Sequence, residues 1–254
     1  MAIGEQLSRK ARASSVETKE KKRLVAIHGI AYNEFRMQLR FNEVKATQAA
    51  SRLLRLCGGR MSYLGLIKLL YLVDREALIR WGRPVTTDRH VSMPKGPVVS
   101  QIYDLIISEN PPGEQTFWRK YISPPENFEV ALLQDPGDDE LSRAEESLID
   151  EVFGIHGAKS RWELVRYTHD LPEWQDPNGS SIPIAYRDIL KAAGKTDGEV
   201  ACVESELENL AVVQTLVGRP LGHHPPVRSC FTETPKLLIC AGYGGGDHRP
   251  HPHD

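Results

Sequence analysis

The chain has 254 residues, 40% of them hydrophobic and 26% charged, and a formal net charge of -2. That balance suits a soluble chain able to bury its own core, and it excludes the global basic field that drives non-specific nucleic-acid binding. The longest apolar runs, such as residues 64–73, are broken by Lys68 and too short to span a bilayer, and the four scattered cysteines lack metal-ligand spacing, so a reduced, cytoplasmic setting without metal or other cofactor is expected.

Residues 1–40 carry nine Lys/Arg against four Asp/Glu with few large apolar side chains, which predicts a mobile basic N-terminal extension. From Asn42, the spacing of Val44, Ala49, Leu53 and Leu56 predicts a helix stopped at Gly58-Gly59. A second helix is expected from a Ser62 cap to Trp81-Gly82. Its stripe of Leu66, Leu70, Val73 and Ala77 is flanked by further apolar residues, so it should be central. Between Pro84 and Pro94, residues 85–93 suit an edge strand or ordered loop.

Gly96-Pro97 is then expected to open a third helix, with Val98, Ile102, Leu105 and Ile106 on its inner face. Residues 117–122 and 128–133 read as the two strands of a hairpin around Pro124-Pro125. Residues 126–151 hold ten acids against Arg143 alone, the pattern of a solvated acidic surface. Two S-x-x-E capping boxes, Ser142 with Glu145 and Ser160 with Glu163, announce further helices, the second with Trp162, Leu164, Val165 and Thr168 toward the core. Helices over about 183–193 and 199–217 follow, stopped by Gly194 and Gly218. Beyond Gly218 the chain is dominated by Gly, Pro and His, which predicts a disordered tail over 218–254. The expected fold class is mainly α: a compact helical domain with a small β-hairpin between two disordered tails.

On the central helix, Lys68, Tyr71, Asp74 and Arg75 lie three and four residues apart and interrupt an apolar surface with one polar patch. Asp74 and His169 either satisfy each other in the core or help contact a partner; a base with its orienter is the remaining reading, without a nominated nucleophile. The Lys95-Gly96-Pro97 turn suits an anion or a partner's carboxylate, or simply needs Gly and Pro to turn. Trp174, in a loop after Pro172, is either an interface anchor or a cover for the core. No G-x-S-x-G, HExxH or phosphate-binding glycine loop is present.

The blocks KLLYLVDREALIRWGRPV, MPKGPVVSQIYDLI, SRAEESLIDEVF and ELVRYTHDLPEW, in that order and spacing, resemble the Panacea or SocA-like antitoxin domain over about residues 42–194. The resemblance implies a mostly helical, non-enzymatic antitoxin from a bacterial or prophage toxin–antitoxin operon, occupying residues 41–217. It would neutralise a separately encoded protein toxin by direct binding or, alternatively, deliver that toxin to a cellular protease. A hydrolase built on Asp74 and His169 is a further alternative. The partner-contacting residues expected from the matched blocks are Tyr71, Asp74, Lys95, Gly96, Pro97, His169 and Trp174.

Overall fold

The computed structural model describes residues 39–108 and 116–217. The expected tail over 218–254 and nearly all of the N-terminal extension lie outside the described residues. Eight helices and five short strands are described, in the order α1 Glu43–Leu56, β1 Arg60–Ser62, α2 Tyr63–Trp81, β2 His90–Met93, β3 Gly96–Val99, α3 Ser100–Ile107, α4 Phe117–Tyr121, β4 Glu129–Ala131, α5 Arg143–His156, α6 Arg161–His169, β5 Ile182–Ile184, α7 Tyr186–Ala192 and α8 Asp197–Val217. The fold is mainly α, as expected, and no described helix is long and apolar enough to cross a membrane.

Local chemistry sets most helix ends. The Asn42 side chain accepts the Lys45 N–H at 3.1 Å to begin α1, and Gly82, at φ 74, closes α2 in the left-handed conformation that costs a glycine little. Both expected capping boxes are formed, at α5 and α6. A third, not foreseen, opens α8: Thr196 Oγ1 accepts from the Glu199 N–H, and the Glu199 carboxylate accepts from the Thr196 N–H at 2.8 Å. Ser62, in contrast, makes no side-chain cap, because strand β1 runs straight into α2 and leaves its hydroxyl buried without a partner among the described residues.

Helix α2 is the axis of the fold. It packs against α1, α5, α6, α7 and strand β3, and its residues 65–74 are buried without a break. Side chains such as Leu66, Ile67, Leu69 and Leu70 each contribute roughly 1.5–3 kcal/mol by burial. That scale explains why neighbouring elements collect around this helix.

The connections to either side of α2 differ from expectation. Gly96-Pro97 does not begin a helix: residues 96–99 form β3, and α3 starts at Ser100. Val98 and Val99 are β-branched and pair with Val91 and His90, while Pro97 sits on an edge strand, where a missing N–H breaks no ladder. The α3 N-terminus is served from a distance by Asp88, whose carboxylate accepts the Gln101 and Ile102 N–H groups at 2.9 Å. Strand β2 covers only His90–Met93 and is the middle strand of the order β3-β2-β5, not an edge, because β5 arrives from ninety residues downstream. Residues 182–184 are therefore strand, and the helix expected from 183 begins at Tyr186.

The hairpin expected over 117–133 is also replaced. Residues 117–121 are helical, capped by Thr116 and held by the Glu43 carboxylate, which accepts the Trp118 N–H at 2.8 Å and seats the fully buried Trp118 indole. Strand β4 pairs instead with β1, and a single bridge between Ile122 and Leu132 is what remains of the expected pairing. Ahead of β4, Glu126 and Glu129 exchange both backbone hydrogen bonds around a two-residue turn at Asn127 and Phe128, with φ values of 52 and 65. Such turns favour Gly at the second position; a bulky aromatic there costs about 1–3 kcal/mol of backbone strain.

The acidic stretch is not simply solvated. Arg52 on α1 donates to Asp150 at 2.6 and 2.7 Å, to Glu146 at 2.9 Å and to Asp138 at 3.2 Å, while Arg55 pairs with Asp135 and Asp138. Hydrogen bonding to Asp150, with the surrounding carboxylates, holds the Arg52 guanidinium firmly charged. The acids of 135–150 thus clamp α5 and its leading loop onto α1. Arg52→Ala is expected to destabilise the fold by about 1–2 kcal/mol at low salt and by less in 1 M NaCl, as read from urea denaturation.

Candidate functional site

Four polar residues of α2 reach three different pieces of chain. Lys68, fully buried, donates through Nζ to the Pro97 carbonyl at 2.6 Å. The Tyr71 hydroxyl donates to Glu173 at 2.9 Å, and Arg75 donates to the same carboxylate at 2.7 Å. Asp74 accepts the Val85 and Thr86 N–H groups at 2.9 and 2.8 Å, together with the Thr86 hydroxyl and His90 Nε2. The patch is therefore a seam that pins the β2–β3 region and the loop after α6 onto the central helix.

This arrangement corrects the expected pairing of Asp74 with His169. Asp74 is satisfied by residues 85, 86 and 90, so the base–orienter pair of the hydrolase reading is not assembled. His169 instead stacks on Trp174, with ring centroids 4.2 Å apart and planes 18° from parallel. The Trp174 indole N–H donates to the Met93 carbonyl at 3.2 Å. Burial, then the nearby Lys68 charge, lowers the His169 pKa, and its Nε2 is buried without a partner among the described residues.

Of the seven expected contact residues, Tyr71, Asp74, Gly96 and Pro97 are buried, His169 and Trp174 are half-buried, and Lys95 is exposed. Those around the β2–β3 turn converge, whereas Asp74 is hydrogen-bonded to residues 85, 86 and 90. Lys95 tops the β2–β3 turn, Gly96 lies over α6, and Trp174 closes the edge of that turn. Gly96 has φ +88, and an added Cβ would come within 2.8 Å of Thr168 Oγ1 and 3.0 Å of both His169 and Lys68 Nζ. Close approach and backbone conformation both require glycine here.

Sequence reasoning missed Thr86, His90 and Glu173, which complete the seam, and Asp88, which serves the start of α3. Each lies in a loop or at the edge of a short strand, where no periodicity marks it. It also placed Trp162 in the core, whereas the indole is 48% exposed.

The class these features define is a helical domain braced by a buried polar seam. Residues 66–175 match the family described as Antitoxin SocA-like, Panacea domain. The resemblance carried by the sequence blocks thus holds over that stretch, which is narrower than the 42–194 expected. It runs from the first turns of α2 to just past Trp174, and so spans every member of the seam. No curated protein and no solved structure matches the chain.

Two outcomes test this geometry. Gly96→Ala is expected to destabilise the domain by about 2–4 kcal/mol, since positive φ and an overpacked contact act together; thermal unfolding reads the shift. Burial pushes the Lys68 pKa down from 10.5 to about 7. The unfolded chain holds that proton at higher pH than the folded one, so between about 7 and 10 Lys68 makes stability rise with pH, by at most about 1.4 kcal/mol per unit. The stability difference between wild type and Lys68→Met, measured in urea at pH 7, 8 and 9, should change with that slope.

Proposed function

We propose that the domain is an antitoxin that neutralises a separately encoded protein toxin by direct binding, without catalysing a reaction. The observation that carries this reading is the family match over residues 66–175, the segment that contains the whole seam. The geometry supports it in a second way. Lys95, His169 and Trp174 lie at or near the surface, where a partner can reach them. Beneath them Gly96 packs closely on His169, and Tyr71 binds Glu173, the residue before Trp174. A rigid contact loop loses little entropy when a partner binds, so more of the contact energy is kept as affinity.

Co-expression with the product of the adjacent gene tests the reading. Growth rescue together with a complex that co-purifies is the expected result. Rescue without a complex would turn the assignment toward proteolytic delivery, and no rescue would sink it. Trp174→Ala should weaken the complex at least tenfold while the protein stays folded by circular dichroism. Asp74→Ala should lose binding only together with the fold, because it strands two backbone N–H groups, a hydroxyl and a buried imidazole.

A further inference from the structure

Beside the seam, a second group of side chains is gathered at the surface from three separate segments. Phe128, in the turn before β4, is 65% exposed, and Trp162, in the first turn of α6, is 48% exposed. The Arg161 guanidinium lies over both rings, 5.7 Å from the Phe128 centroid and 5.4 Å from that of Trp162. Lys95 Nζ, from the β2–β3 turn, stands 5.8 Å from the Trp162 centroid. Neither Lys95 nor Arg161 forms an ion pair among the described residues.

Three features separate this patch from ordinary scattered surface hydrophobics. Large aromatics and Arg are the residue types that dominate interface energetics, and here they touch one another. Ring contact holds the Arg161 guanidinium in place and leaves its N–H donors available for a carboxylate. Phe128 is displayed from a strained backbone: φ 65 at a turn position that glycine would fill without cost. The side chain is not packed in the core, so burial does not compensate for that strain. Strain retained at an exposed aromatic points to a use for that aromatic.

We propose that Phe128, Arg161, Trp162 and Lys95 form a docking surface for the toxin, taking an apolar side chain against the two rings and an adjacent carboxylate on Arg161 and Lys95. This rests on the antitoxin reading and specifies where, and by what chemistry, the partner is held. Charge complementarity selects the partner class. A single carboxylate needs one oriented guanidinium, whereas a nucleic-acid backbone needs a continuous cationic track. Here Glu126 and Glu129 flank Phe128, and Glu163 follows Trp162, so such a track is interrupted. The exposed Lys95 joins this surface to the turn over which His169 and Trp174 lie.

The discriminating variant is Phe128→Gly, because it should improve the turn while removing the docking group. Its unfolding midpoint is expected to rise by a few degrees, and its affinity for the purified product of the adjacent gene to fall at least tenfold, so the loss cannot be ascribed to unfolding. Arg161→Glu should weaken the same complex at least tenfold and reduce its salt dependence. A wild-type complex that both variants form within twofold of normal would overturn this surface while leaving the antitoxin reading intact. Failure of the wild-type protein to form any complex would overturn both. A labelled single-stranded oligouridylate bound by wild type and lost in Arg161→Glu would assign the patch to nucleic acid and overturn the proposal, as would a concentration-dependent dimer in light scattering that Phe128→Gly abolishes.

Discussion

The structure depends on a single constraint: α2 is buried along most of its length yet carries Lys68, Tyr71, Asp74 and Arg75. A buried polar group without a partner costs several times what a typical hydrogen bond contributes net, so each of these side chains requires one. The partners come from residues 85–90, from Pro97 in β3 and from Glu173 in the loop after α6. Satisfying the central helix therefore orders the connections around it. Glycine at 96 belongs to the same solution, since only a residue without a Cβ lets the β2–β3 turn close over Lys68, Thr168 and His169.

That arrangement separates support from contact. Charged and aromatic groups within the seam are consumed by one another and present little to solvent. Those just outside it, Lys95 and Trp162 with Arg161 and Phe128, are left facing outward. The antitoxin-like stretch of 66–175 contains both layers. The proposed direct-binding role would use this division, with rigidity beneath and side chains with unused binding capacity above. At the strained turn carrying Phe128, stability is given up while the aromatic stays exposed.

The sequence-level reading succeeded where local chemistry decides the outcome. Asn42, Gly82 and the two S-x-x-E boxes mark helix ends through atoms within a few residues of one another, and the structure follows them. It failed where a distant partner overrides local preference. Gly96-Pro97 has the local form of a helix start, yet pairing with β2 makes it a strand. Residues 117–121 have β-forming composition, yet burying Trp118 against α1 makes them helical. The acids of 135–150 have the composition of a solvated face, yet Arg52 and Arg55 collect them.

By itself, then, the sequence determined the helical class, the central place of α2, the principal caps and the family resemblance, because periodicity, capping and block order are properties of neighbouring residues. Tertiary structure alone decided that Asp74 is satisfied by Thr86 and His90 rather than by His169, that Glu173 anchors the loop carrying Trp174, and that the Arg161 guanidinium lies over both Phe128 and Trp162 at the surface. Hydrogen-bond partners, burial and ring contacts join residues tens of positions apart. They are set by which surfaces the core brings together, and no local pattern in the chain encodes that choice.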